Sequence, residues 1–385
     1  HMVSQRLQNV PASGTVAISN KVSRLKAEGQ DIISFSMGEP DFTTPTNVID
    51  ACKESLDNGF THYTPSLGIP ELRRAVAEAA HNDNNIPCRG ANVLITPAKQ
   101  AIFMTFLAYL DPDDEVLIPN PAWVSYEACV RLAGAVPVFV PTYFEDGFVP
   151  DPAMMEAAIT PKTKMMVINT PCNPTGCVIP DNVLRELVSI AEAHNLLILS
   201  DEIYEKVIYE GKHLSAAAYP DMFDRTITVS GLSKTYAMTG WRMGWAIANE
   251  DIISNLNKLQ SHSISCCVSF AQQASIEAIK GDQTQRNAFT KEFKQRRDLA
   301  IDLIDEIKGL DVNVPQGAFY LFPRYTADIK SSKLVTMLLE EAHVAMTPGS
   351  AFGPAGEGFF RMSYATGEEQ IREGLDRAKK FFANL

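Results

Sequence analysis

Residues 229–244 read V-S-G-L-S-K-T-Y-A-M-T-G-W-R-M-G, and the assignment of the fold turns on them. The run T-I-T-V at 226–229 predicts a buried strand, with 230–233 as the turn leaving its end. Open α/β sheets bind ligands beyond the carboxyl ends of their strands, so Lys234 stands where a ligand would sit. Desolvation there disfavours the ammonium form and leaves a usable amine nucleophile. Eight residues on, Arg242 lies between Trp241 and Met243. That setting suits a guanidinium paired with a phosphate better than a solvated charge. The plain alternative is a snorkelling surface lysine and an arginine in a structural ion pair.

Upstream, 92–96 predict a strand, 97–100 (P-A-K-Q) a turn and 101–110 a helix. A strand, a small-residue turn and a helix start present free N–H groups and a favourable dipole to a phosphate, here at Ala98, Lys99 and Gln100. There is no Walker loop and no G-x-G-x-x-G, which counts against nucleotide readings. Further strands are expected at 114–118, 136–140 and 165–168, the last running into N-T-P-C-N-P-T-G, followed by a helix over 181–194. Trp123, just past the first of these, is either a core tryptophan or a plate for a flat heteroaromatic ring.

The strand at 196–200 delivers Asp201 and, three residues later, Tyr204. A carboxylate behind an apolar run is costly when buried unpaired, so Asp201 is either a helix N-cap or the partner of a cation. A protonated pyridine nitrogen is one such cation.

At the N-terminal end an arm leads into a helix stopped by Gly29, then a strand at 32–37 running into the turn-forming G-E-P-D-F that contains Gly38. The pair His1-Met2 reads as a cloning remnant. Beyond the lysine stretch, one long amphipathic helical region is expected at 251–280 and a charged helix at 282–308. A strand at 312–322, a helix at 331–342, strands at 344–348 and 359–365, and a terminal helix complete the chain. Arg361 interrupts the apolar alternation of F-F-R-M-S-Y-A. The alternation of strands and helices predicts an α/β protein with a mostly parallel sheet. The large domain is expected over 43–280, and a smaller α/β domain from 3–42 together with 281–385.

The chain has 385 residues, ample for two domains. Its net charge of −12 argues against nucleic acid and anionic membrane as partners, and no apolar run approaches membrane-spanning length. Seven cysteines without a secretory signal point to a reducing cytoplasm. Neither Cys172/Cys177 nor Cys266/Cys267 has a zinc spacing, so no metal is expected.

The lysine stretch, with its arginine eight residues on, resembles the lysine motif of class I aminotransferases, fold type I enzymes that use pyridoxal 5′-phosphate (PLP). N-P-T-G at 173–176, D-x-x-Y at 201–204, Y-x-x-x-x-G-x-x-x-L-R from Tyr63 and R-x-S-x-A from Arg361 follow the family's order over almost the whole chain. The resemblance implies a Schiff base at Lys234, the cofactor phosphate on Arg242, and the ring nitrogen on Asp201. It implies that Asn173 and Tyr204 hydrogen-bond the phenolic oxygen, with Asn173 also on the substrate carboxylate, and that Gly38 and Arg361 receive that carboxylate. Tyr63 would reach the neighbouring subunit's phosphate in a homodimer with shared sites.

The branch most similar contains aspartate and aspartate/prephenate aminotransferases. There an arm threonine and a lysine in the phosphate turn are linked to acidic substrates, and Thr15 and Lys99 hold those places. A capping hydroxyl and a surface lysine are the plain alternatives. One departure is Gly231, where other members carry a phosphate-binding serine. The expected reaction is ping-pong transamination between an amino acid and a 2-oxo acid. Rival chemistries on the same cofactor, such as carbon–sulfur β-elimination or 1-aminocyclopropane-1-carboxylate synthesis, yield no stoichiometric glutamate. A ligand sensor on this fold would carry a helix-turn-helix domain, for which the arm has no room.

Overall fold

The computed structural model describes residues 2–385; His1, half of the dipeptide read as a cloning remnant, lies outside them. Seven strands build the central sheet: β1 (Val93–Ile95), β2 (Glu115–Asn120), β3 (Val136–Pro141), β4 (Thr163–Asn169), β5 (Leu197–Asp201), β6 (Thr226–Gly231) and β7 (Gly244–Ile247). Their order is β1-β7-β6-β5-β4-β2-β3. Only β7 runs against its neighbours; the other pairings are parallel. Chain direction across the sheet reverses between β2 and β4, which opens a crevice at the strands' carboxyl ends.

Alternate residues of the buried strands feed different helical layers, as a period of two requires. Val167, Leu199, Ile227 and Val229 pack with Ile102, Phe106 and Leu256 on one face. Met166, Ile168 and Ile198 meet Leu184, Leu187 and Val188 of the helix Asp181–Ala193 on the other.

A second core gathers Phe35 from the N-terminal segment with Phe293, Phe319, Leu338, Met362 and Leu375 from the C-terminal third, and takes in Tyr204. Ile33–Ser34 pairs in parallel with Val344–Ala345. The strand Phe360–Ser363 lies between Tyr320–Leu321 and Thr347–Pro348.

Several elements differ from expectation. The helical region at 251–280 is two helices, Glu250–Ser261 and Ser269–Lys280. The intervening H-S-I-S-C-C-V is poor in helix formers, and Ser265 adopts a left-handed φ of 65°. Residues 312–322 are not one strand: Tyr320–Leu321 pairs, Gly317 makes an isolated bridge to Ile208, and the strand Leu310–Asp311 lies just ahead of the range. Pro315 removes a ladder donor, and Ala318 has a φ of 58°. The strands expected at 32–37 and 344–348 pair only at Ile33–Ser34 and as the two pieces Val344–Ala345 and Thr347–Pro348. No helix of the described residues is long and apolar enough to cross a membrane.

Candidate active site

The crevice takes its shape from two glycines. Gly231 ends β6 opposite Gly244 of β7. A Cβ at 231 would lie 2.9 Å from Gly244 Cα, and one at 244 would lie 3.0 Å from Ala98 N. The pair therefore lets the reactive turn, β7 and the helix Ala98–Tyr109 approach closely, and leaves no room for a serine at 231. Residues 230 and 231 are still strand, so the turn begins at Leu232 rather than Ser230.

Lys234 follows that turn half-buried, and its Nζ donates to Gly38 O. Burial lowers its pKa to about 8, helped by the cation of Arg361 and opposed by Glu39. The amine stands 5.9 Å from the Tyr204 ring centroid.

Asp201 is the last residue of β5 and no helix follows it, so it is not an N-cap. Its side chain is buried, and its donors are the Tyr126 hydroxyl at 2.5 Å and Ile203 N–H at 3.3 Å rather than a cation. Burial raises its pKa to about 6 against the opposing pull of the Tyr126 hydrogen bond.

Asn169, ending β4, donates to Asp201 O at 3.0 Å and accepts from Asn173 N–H at 3.0 Å, which ties the N-P-T-G turn to the sheet. Arg361 crosses from the second core: Nη1 donates to Asn173 Oδ1 at 2.9 Å and Nη2 to Ser36 O at 3.0 Å. Its Nε is buried without a partner among the described residues. The Tyr204 and Tyr320 hydroxyls are 2.6 Å apart. A Cβ at position 38 would lie 3.1 Å from Tyr320 Oη, so glycine there is a packing requirement as well as a turn former.

Ala98, Lys99 and Gln100 are the first turn of the helix Ala98–Tyr109, which begins three residues earlier than expected. Pro97 caps it without a side-chain hydrogen bond, so the N–H groups of that turn face a ligand position. Trp123 is half-buried at the start of the helix Val124–Leu132, edge-on to Tyr126 at 5.4 Å, with Lys99 Nζ 5.1 Å from its ring.

The structure thus gathers Lys234, Asp201, Tyr204, Asn173, Arg361, Gly38 and Trp123 around one crevice. Others sit at its margin. Arg242 is exposed, contrary to its apolar neighbours: a left-handed φ of 55° turns its side chain outward, where Nη1 donates to Thr239 O at 3.0 Å. Tyr63 is 88% exposed. Thr15 shares a 2.8 Å hydrogen bond with Ser13, the residue that caps its helix, so Thr15 is not the cap. Next to it, Gly14 abuts Ala351, whose neighbour Phe352 lies 5.0 Å from Arg361 Cζ.

Tyr126 and Tyr320 carry no motif in the sequence, whereas Asn169 opens N-T-P-C-N-P-T-G and ends an apolar strand as Asp201 does.

These groups fit a flat phosphorylated pyridine aldehyde. Free N–H groups and the exposed Arg242 guanidinium, engaged only through Nη1, suit its phosphate, and a buried carboxylate with no cation on it among the described residues suits its ring nitrogen. A neutralisable amine suits its aldehyde. The profile of the family "aminotransferase class I and II" matches residues 30–377. An aspartate aminotransferase of Pyrococcus abyssi is 44% identical, covering 94% of each chain. An aromatic-amino-acid aminotransferase of Thermococcus litoralis is 43% identical over 91% of this chain and 92% of its own. The solved aspartate aminotransferase of Thermus thermophilus with maleate superposes with a TM-score of 0.94 at 40% identity, covering 99% of each chain.

Proposed function

The chain belongs to the aminotransferase class I and II family, and from that premise we propose that it moves the amino group of aspartate to a 2-oxo acid such as 2-oxoglutarate. It is a transaminase of fold type I, and pyridoxal 5′-phosphate is its cofactor. When bound, PLP supplies an aldehyde for amines and a charged ring that takes up electrons from the α-carbon.

The rest is the work of this chain's residues. Lys234 would hold the aldehyde through its amine, and the same amine would move the proton at the α-carbon. Asp201 keeps the ring nitrogen protonated, and Tyr126 keeps Asp201 ionised. Tyr204 and the Asn173 amide donate to the phenolic oxygen. Arg361 has an unused Nε–H beside its two engaged nitrogens and forks onto the α-carboxylate; Gly38 leaves space for it. The N–H groups at 98–100 and Arg242 take the phosphate, and Trp123 covers the ring. Tyr63, projecting from the chain, completes the partner subunit's site in a homodimer. Thr15 and Lys99 select an acidic side chain, with glutamate and prephenate as further reactants. A division into 43–280 and 3–42 with 281–385 is supported by a second core drawn mainly from the N-terminal segment and the C-terminal third, and the reducing cytoplasm suits seven unpaired thiols.

One observation carries this reading: a half-buried amine of lowered pKa sits in one crevice with a buried carboxylate that lacks a cation. Borohydride reduction of the holoenzyme, followed by peptide mass analysis, should find PLP on Lys234. Cofactor attached elsewhere would refute the assignment. Aspartate with 2-oxoglutarate should then give one glutamate per oxaloacetate, whereas a β-lyase gives none. The aromatic relative favours a second reading, an aromatic donor, which kcat/KM across a donor panel decides.

A further inference from the structure

We propose that Tyr320 is a positioning residue for the reaction, its hydroxyl aiming the Tyr204 proton into the site while its ring holds the Arg361 guanidinium. The proposal rests on the reading of Lys234, Tyr204 and Arg361 given above. Tyr320 is fully buried on a strand that neighbours the one bearing Arg361, in register with Ser363. Its hydroxyl lies 2.6 Å from that of Tyr204, and its ring centroid lies 4.4 Å from Arg361 Cζ. The same hydroxyl is what a side chain at position 38 would meet. Three working parts of the crevice therefore converge on one phenol.

Proton counting sets the direction of the hydrogen bond. Burial pushes both phenols above their ordinary range, so each keeps its proton at neutral pH. Two oxygens then hold two protons but share one hydrogen bond, and the other proton is free. A guanidinium against an aromatic face draws on its π electrons and makes that phenol the better donor. Arg361 lies against Tyr320, so Tyr320 donates to Tyr204. Tyr204 is left with a proton for an acceptor in the space that Lys234 Nζ enters. The reverse arrangement would spend the Tyr204 proton on Tyr320 and leave the site without it.

Ring and hydroxyl do separate work, and substitutions separate them. Holoenzymes carrying Tyr320→Phe, Tyr320→Leu, Tyr204→Phe and Tyr204→Phe/Tyr320→Phe are compared by the pH dependence of the bound PLP absorbance and by kcat and KM. Tyr320→Phe keeps the ring. It should move the spectral midpoint in the same direction as Tyr204→Phe and lower kcat about tenfold, with KM within about twofold of wild type. The double variant should be no worse than Tyr204→Phe, because the two hydroxyls act as one unit. Tyr320→Leu should in addition raise KM by about fivefold or more. A wild-type midpoint and kcat in Tyr320→Phe, losses that multiply in the double variant, or an unchanged KM in Tyr320→Leu would each overturn the proposal. A wild-type enzyme with no Lys234-linked absorbance would instead overturn the reading on which it rests.

Discussion

The Tyr126 hydroxyl donates to Asp201 Oδ2 across 2.5 Å, at the bottom of the crevice and out of reach of solvent. This hydrogen bond favours the carboxylate, while burial favours the neutral acid. Hydrogen bonds to charged groups contribute roughly 1.5–3 kcal/mol. Tyr126→Phe should therefore weaken PLP binding by about ten- to a hundredfold. Titrating apoenzyme with PLP measures it, and an unchanged Kd would show that Asp201 needs no help.

Asp201 gives the cofactor-free protein a pH signature. Its folded pKa of about 6 lies above its ordinary value of 3.8, so between those values the folded state holds a proton that the unfolded state has lost. Stability then falls as pH rises through that window, and the penalty is complete above pH 6. Asp201→Asn should raise the Tm of apoenzyme at neutral pH, leave it nearly unchanged below the ordinary carboxylate pKa, and abolish transamination. Equal Tm shifts on both sides of the window would contradict the assignment.

Arg361 and Lys99 should fail differently. Arg361→Lys keeps a charge but loses the fork, so KM should rise for every amino acid, by roughly a hundredfold on the scale of a broken buried charge contact. Lys99 is exposed at the mouth. Lys99→Ser should reduce kcat/KM for aspartate and spare alanine. Equal loss on both substrates would remove Lys99 from side-chain recognition.

Gly231→Ser tests the glycine pair. With a Cβ only 2.9 Å from Gly244 Cα, overpacking should cost about 1–3 kcal/mol. The urea midpoint should fall at constant m. A midpoint equal to that of wild type would mean that β6 and β7 can separate without cost.

Much of the crevice is legible in the sequence because its groups break local rules. Lys234, Asp201 and Arg361 each put a charge where an apolar run wants none, and the N-P-T-G turn ends another such run. The parallel sheet follows from strands that are apolar on both faces. Contacts between distant segments leave no such mark. Tyr126 and Tyr320 look like ordinary core aromatics until Asp201 and Tyr204 are brought against them. Arg242 is more exposed than its apolar neighbours suggest, on a backbone in the left-handed region that composition does not reveal. The break at 262–268 and the loop before Tyr320 arise from weak local preferences that tertiary packing resolves.

Ser36 O and Gly38 O are each fastened by a cation, the first by Arg361 and the second by Lys234. Both groups have other duties: a Lys234 amine holding an aldehyde would have no N–H left for Gly38 O, and Arg361 would share its donors with a carboxylate. The N-terminal segment is thus moored to the very groups that the reactants claim. The reactants would therefore compete for the same groups that hold this segment, 196 residues from Lys234 along the chain.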